Sequence, residues 1–162
     1  MGEAADRDAR GEILNLLYRY AERIDAGDFA GVADLFAHAE ITVEGTDACT
    51  RGREAVQRLY ETTTRRYEDD GTPKTKHVVT NAIVELDGAA DTATSRSYFT
   101  VLQQTPKLPL QIIITGRYRD RFERLDGRWR FASRHMILDQ FGDLSQHLMM
   151  DPEAMTRSPA SE

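Results

Sequence analysis

The amino-acid sequence predicts an α+β domain, a cone in which three N-terminal helices pack on one face of a curved, mainly antiparallel sheet and leave a hollow between the layers. Three observations carry this prediction. Apolar residues recur three and four apart early in the chain, at Ile13, Leu16, Leu17, Tyr20 and Ile24. After Pro73 the texture changes to long runs rich in β-branched and aromatic residues. Asp87-Gly88 and Asp126-Gly127 punctuate those runs with dipeptides favoured in tight hairpin turns. Helices first and strands after, in a chain of 162 residues, bury one another only if the helices lie across one side of the sheet.

Taken in order, the first helix covers Asp8 to Ile24 and stops at Gly27, a residue that tolerates the left-handed turn ending many helices. Asp28 caps a second helix carrying Val32, Leu35 and Phe36 on one side. Glu40 to Glu44 alternates Ile41 and Val43 with polar neighbours and reads as a short strand. A third helix covers Glu54 to Tyr67, with Val56, Leu59 and Tyr60 inward. Four long strands follow: Lys76 to Leu86, Thr92 to Gln103, Gln111 to Arg124 and Arg128 to Leu138. Residues 1–150 are expected to form the single domain, with 151–162, ending TRSPASE, as a flexible tail.

Composition narrows the function. The net charge is −6, from 21 basic and 27 acidic side chains, so the surface as a whole repels phosphate backbones, and nucleic acid is not expected as a partner. The arginines between Arg117 and Arg130 are interleaved with Asp120, Glu123 and Asp126, the pattern of a solvated strand face. No apolar run approaches the ~20 residues of a membrane span. The acidic N-terminal stretch and the single cysteine, Cys49, agree with a cytoplasmic location. No metal-ligand spacing or phosphate-cradling glycine motif is present, so neither metal nor cofactor is expected.

Asp25 is the most informative residue. It lies at the C-terminal end of the first helix, where the helix dipole disfavours an anion, and beside the apolar stripe through Tyr18 and Ala21. An inward acid there has a raised pKa unless a cation or proton donor faces it. His77, opening the first long strand and sharing a face with Val79, Asn81 and Ile83 by the two-residue period, is the natural partner. A carboxylate that accepts one imidazole N–H fixes the tautomer and leaves the other nitrogen as a general base.

The segments LLYRYAERIDAGDFAGVADLFAHAEITVEG, KHVVTNAIVEL, RSYFTVL, GRYRDRFERLDGRWRFASRH and GDLSQHL resemble the SnoaL-like branch of the nuclear-transport-factor-2-like (NTF2-like) superfamily, with a pattern similar to its scytalone dehydratases and lindane dehydrochlorinases. The resemblance runs from about Arg10 to Leu148. It implies an NTF2-like cone, Asp25 as the acid and His77 as the base of a catalytic dyad, and Arg134 as an active-site cation. The two-residue period instead places Arg134 with Arg128 and Arg130, opposite Trp129 and Phe131, and only a bulge reconciles the two readings. Tyr20 stands where the dehydrochlorinases have lysine, which favours departure of hydroxide over halide. Tyr18, Asn81 and Tyr98 are expected to contact the ligand.

The function expected from these residues is a cofactor-independent lyase or isomerase, of dehydratase type, acting on a small hydrophobic or aromatic molecule. His77, oriented by Asp25, abstracts a proton while Tyr20 and Arg134 assist the leaving oxygen. Two alternatives stay open: a non-catalytic binding or assembly module like the small subunit of ring-hydroxylating dioxygenases, and an epoxide hydrolase-like site in which the base activates water. The resemblance also implies a homo-oligomer, dimer or trimer.

Overall fold

Three helices lie across one face of a six-stranded open sheet in this computed structural model, which describes residues 2–89 and 91–150. The expected tail, 151–162, lies outside the described residues. Helix α1 spans Glu3–Asp25, longer at its start than the apolar spacing suggests, and buries Ile13, Leu17, Tyr20 and Ile24. Gly27 follows with φ 72°, and its Cα faces the Gly71 carbonyl so closely that a Cβ would stand 2.2 Å from the oxygen. Helix α2, Phe29–Leu35, is capped by Asp28, whose carboxylate accepts from the Gly31 N–H at 2.8 Å.

Strand β1 (Glu40–Val43) pairs with β2 (Cys49–Arg51), a short strand that the sequence pattern does not reveal. Helix α3 runs over Arg53–Thr63 and stops four residues short of the expected Tyr67. The β-branched run Thr62, Thr63, Thr64 ends it, with Thr64 already extended and bridged to Leu148. The long strands are β3 (Thr75–Asp87), β4 (Thr92–Thr105), β5 (Leu108–Leu125) and β6 (Arg128–Phe141).

The strand order is β2-β1-β6-β5-β4-β3, antiparallel throughout except where β1 runs parallel to β6. Asp126 and Gly127, with φ 50° and 75°, make the tight β5–β6 hairpin with both central residues left-handed. The inner face of the sheet and the helices share one aromatic-rich core, in which Phe36 stacks on Phe131 at 4.6 Å and Phe99 on Tyr118 at 4.4 Å. Among the described residues no helix is long and apolar enough to cross a membrane.

Of the register shifts in the sheet, two decide which of the expected site residues face inward. On β3 the register shifts between Thr80 and Ile83, and Asn81 takes a left-handed φ of 55°. His77 and Val79 therefore point to the helices, while the inward phase resumes at Ala82 and Val84. The expectation that Asn81 and Ile83 share the face of His77 is corrected by this one extra residue. On β6, Arg121 pairs with Ser133 and Phe122 with Phe131, so Ala132 is the extra residue. Trp129 and Phe131 face inward before it and Arg134 after it.

Candidate active site

The dyad expected from the sequence is assembled where α1 ends against the start of β3. Asp25 is the last residue of α1, two before Gly27, and its Oδ1 is 2.6 Å from His77 Nδ1 and 2.7 Å from the Thr75 hydroxyl, which donates to it. Its Oδ2 accepts the His77 backbone N–H at 2.8 Å. Both side chains are largely withdrawn from solvent, at 11% exposure for Asp25 and 6% for His77. Burial pushes the Asp25 carboxyl up, as the sequence reasoning anticipated. The hydrogen bond and charge of His77, the main-chain N–H and the Thr75 hydroxyl together outweigh it, so the pKa is lowered from 3.8. Asp25 is thus an anion at neutral pH, and with Nδ1 occupied, Nε2 is the nitrogen left for a substrate proton.

His77 borders a cavity of about 430 Å³ between the helices and the inner sheet face. Its apolar wall includes Ile24, Leu59, Phe99, Val101, Met136 and Leu148, and polar groups reach it from Tyr20, Tyr60, Thr64, Tyr118 and His147. The Tyr20 and Tyr60 hydroxyls lie 3.0 Å apart, and the Tyr20 ring meets the His77 ring edge-on with centroids 6.2 Å apart. Burial holds the Tyr60 and Tyr118 phenols well above their usual range, so both remain protonated donors.

Arg134 points inward, since the Ala132 bulge turns it there, and it is fully buried. It does not reach the cavity wall. Its Nε and Nη2 donate to the two Asp120 carboxylate oxygens at 2.8 and 2.9 Å, and its guanidinium lies over the rings of Tyr118 and Tyr20 at 3.9 and 4.3 Å. Burial pushes Asp120 towards neutrality and works against the Arg134 charge. A bidentate contact at these distances is the geometry of an ionised pair, and the carboxylate more than offsets burial, so the guanidinium pKa is raised. Arg134 is therefore a fixed cation beneath the two phenols that form the cavity floor.

The expected ligand contacts are corrected. Tyr18 is 46% exposed on the outer side of α1, and Tyr98 is 53% exposed on the outer face of the sheet, because Ser97 and Phe99 take the inward phase of β4. Asn81 lies on that same outer face, beside Ile83, Arg96 and Tyr98. On β4 the two-residue period holds, but its phase was not settled by RSYFTVL, whose residues include aromatic or apolar groups in both phases. Tyr118 and His147 were missed as cavity residues. Tyr118 was legible from the alternation through Gly116, Tyr118, Asp120 and Phe122, whereas His147 had only the three-and-four spacing of Leu144, His147 and Leu148. Among the described residues no group of three histidine, cysteine or carboxylate side chains is placed to hold a metal ion.

Residues 5–135 match the SnoaL-like domain family. Among solved structures, Rv3472, a protein of unknown function from Mycobacterium tuberculosis solved with an aspartate-to-asparagine substitution, is 28% identical over 87% of this chain and 78% of its own, with a TM-score of 0.69. A putative scytalone dehydratase from Novosphingobium aromaticivorans is similar in fold, with a TM-score of 0.70 at 22% identity over 88% and 91% of the two chains. LinA is similar as well, with a TM-score of 0.69 at 22% identity, covering 94% of this chain and 100% of that one. Among curated proteins none matches the sequence.

Proposed function

Because the chain belongs to the SnoaL-like domain family, we propose that its cavity is the active site of a cofactor-independent lyase or isomerase of dehydratase type. The observation that carries the reading is the 2.6 Å contact of Asp25 with His77 Nδ1 at the wall of a largely apolar chamber. Nε2 of His77 takes a proton from a carbon beside a carbonyl or other activating group. The C–H electron pair becomes the new carbon–carbon double bond, the C–O bond of a neighbouring hydroxyl breaks, and its electron pair leaves with the oxygen. The imidazolium, stabilised meanwhile by Asp25, returns the proton so that water departs.

Tyr20, tied to Tyr60, is a hydrogen-bond donor suited to the departing oxygen. Arg134 acts through the phenols that it lies beneath, making them better donors, since it does not line the chamber. A chamber of about 430 Å³ walled mainly by aliphatic and aromatic side chains fits a one- or two-ring substrate held by few polar contacts. Self-association belongs to the same reading: the outer sheet face exposes Tyr98, Ile83 and Ile112 among arginines such as Arg96 and Arg117, a broad, partly charged surface suited to a second copy.

The test is a panel of aromatic and bicyclic β-hydroxy ketones followed by the rise of enone absorbance. Wild-type protein should dehydrate at least one, and His77→Ala and Asp25→Asn should each lower the rate by roughly 10²- to 10⁴-fold while retaining the fold by circular dichroism. Unchanged turnover in either variant rejects the dyad as the base.

A further inference from the structure

The segment after β6 brings a second imidazole to the chamber, one for which the proposed proton transfer has no use. His147 is 8% exposed and borders the same cavity as His77. Its position is fixed by main-chain bonds on both sides. The Gln146 carbonyl accepts from the Tyr67 hydroxyl at 2.7 Å and from Gln103 Nε2 at 3.1 Å. The His147 carbonyl accepts the Arg65 N–H at 2.8 Å, and the Met149 N–H donates to the Thr63 carbonyl at 2.9 Å.

A ring held this firmly would be expected to have its polar atoms paired. Instead Nδ1 is buried with no hydrogen-bond partner among the described residues. Buried polar groups are almost always satisfied, because the desolvation penalty of an orphan is uncompensated. Nδ1 is enclosed by protein, so the ring meets the mostly apolar chamber through its Nε2 edge, where no side chain or main-chain group among the described residues pairs with it and a ligand oxygen can. The imidazole is also kept neutral. Burial opposes its protonation most and the nearby His77 adds to that, while Asp25 favours protonation but offsets only part of the two, so the pKa falls from 6.5 to about 4. A neutral imidazole offers one N–H and one lone pair, which suits a hydroxyl or carbonyl oxygen and gives no ionic attraction to a carboxylate or phosphate.

We infer that His147 is the second polar anchor of the chamber, holding a hydroxyl or carbonyl oxygen of the substrate while His77 faces the carbon that loses its proton. The inference rests on the reading of the cavity as a substrate chamber and deepens it: the substrate is an uncharged ring compound with an oxygen remote from the reacting carbon. His147 is a binding group in this arrangement, so its loss acts on affinity for oxygenated ligands and spares their bare skeleton.

The experiment titrates the full chain with naphthalene, 2-naphthol and 2,7-dihydroxynaphthalene by calorimetry or tyrosine and tryptophan fluorescence, using wild type, His147→Phe and His147→Asn. The expected result is that His147→Phe weakens the diol by roughly five- to tenfold and leaves naphthalene unchanged, with partial recovery in His147→Asn. In the wild type, the His147 ring ¹⁵N resonances should shift when the diol is added and stay fixed with naphthalene. Diol binding that is insensitive to both substitutions overturns the assignment of His147 and leaves the chamber reading standing. Failure of the wild type to bind any of the three removes the chamber itself, and the role of His147 with it.

Discussion

Acidification should destabilise this protein through His147 in a pH range where its carboxylates are not the cause. In the folded chain the imidazole takes its proton only near pH 4, whereas in the unfolded chain it does so at the ordinary 6.5. Above pH 6.5 the ring is neutral in both states and contributes nothing to the pH dependence. Below it the unfolded state binds more protons than the folded one, so stability falls as pH falls, at up to about 1.36 kcal/mol per unit. From pH 6.5 to pH 5 the loss is about 2 kcal/mol, and it levels off below pH 4 at about 3 kcal/mol. Asp25 does not share this window. Its pKa is lowered from 3.8, so its stabilising contribution is intact above that value and is lost only at lower pH. The assay is urea unfolding at pH 7 and pH 5 of wild type and His147→Phe, where subtraction removes the titrations common to both. With a slope of about 2 kcal/mol per molar urea, the wild-type midpoint should fall by roughly 1 M more than that of the variant. Parallel pH dependence in the two proteins would refute a buried neutral His147.

Three further predictions concern stability alone. Arg134→Met leaves the fully buried Asp120 without its partner and should cost about 3–5 kcal/mol in denaturant unfolding, whereas Arg134→Met combined with Asp120→Leu should recover most of that loss; equal stability of the single variant and wild type would show the pair to be dispensable. Gly116→Ala would put a Cβ 2.3 Å from the Ile137 carbonyl and 2.6 Å from the Phe99 ring, so a loss of about 1–3 kcal/mol is expected. Gly11→Ala, in open space on α1, should instead gain roughly 0.5–1 kcal/mol; matching thermal shifts for the two alanines would contradict the packing described.

The helices were legible because their information is local. The spacing of Ile13, Leu17, Tyr20 and Ile24, the stop at Gly27 and the Asp28 cap are all set within a few residues of one another. The four long strands were legible for the same reason, from β-branched runs between hairpin dipeptides. Strand β2 was not: Cys49–Arg51 is three residues long, and its strand character comes from β1, which itself depends on a parallel pairing with β6 more than ninety residues away. The end of α3 at Thr63 was half legible: the β-branched run Thr62, Thr63, Thr64 is local, but the bridge from Thr64 to Leu148 that holds the chain extended is not.

At the site, the sequence by itself marked Asp25 as an acid out of place and His77 as a suitable partner, since a helix dipole and an apolar stripe are properties of one segment. Which residues face the chamber was decided by the tertiary structure. A strand of fixed period has two possible phases, and a single extra residue exchanges them. Ala132 turns Arg134 inward, Asn81 ends up on the outer surface, and the phase of β4 gives the inner face to Phe99 in place of Tyr98. His147 becomes a chamber residue only because hydrogen bonds from Arg65, Tyr67 and Gln103 fasten the segment after β6 across the sheet. Local chemistry could nominate an acid and a base. Their 2.6 Å contact, and the company they keep, come from pairings across the whole chain, whose free energy depends on register and burial and so is absent from any short stretch of it.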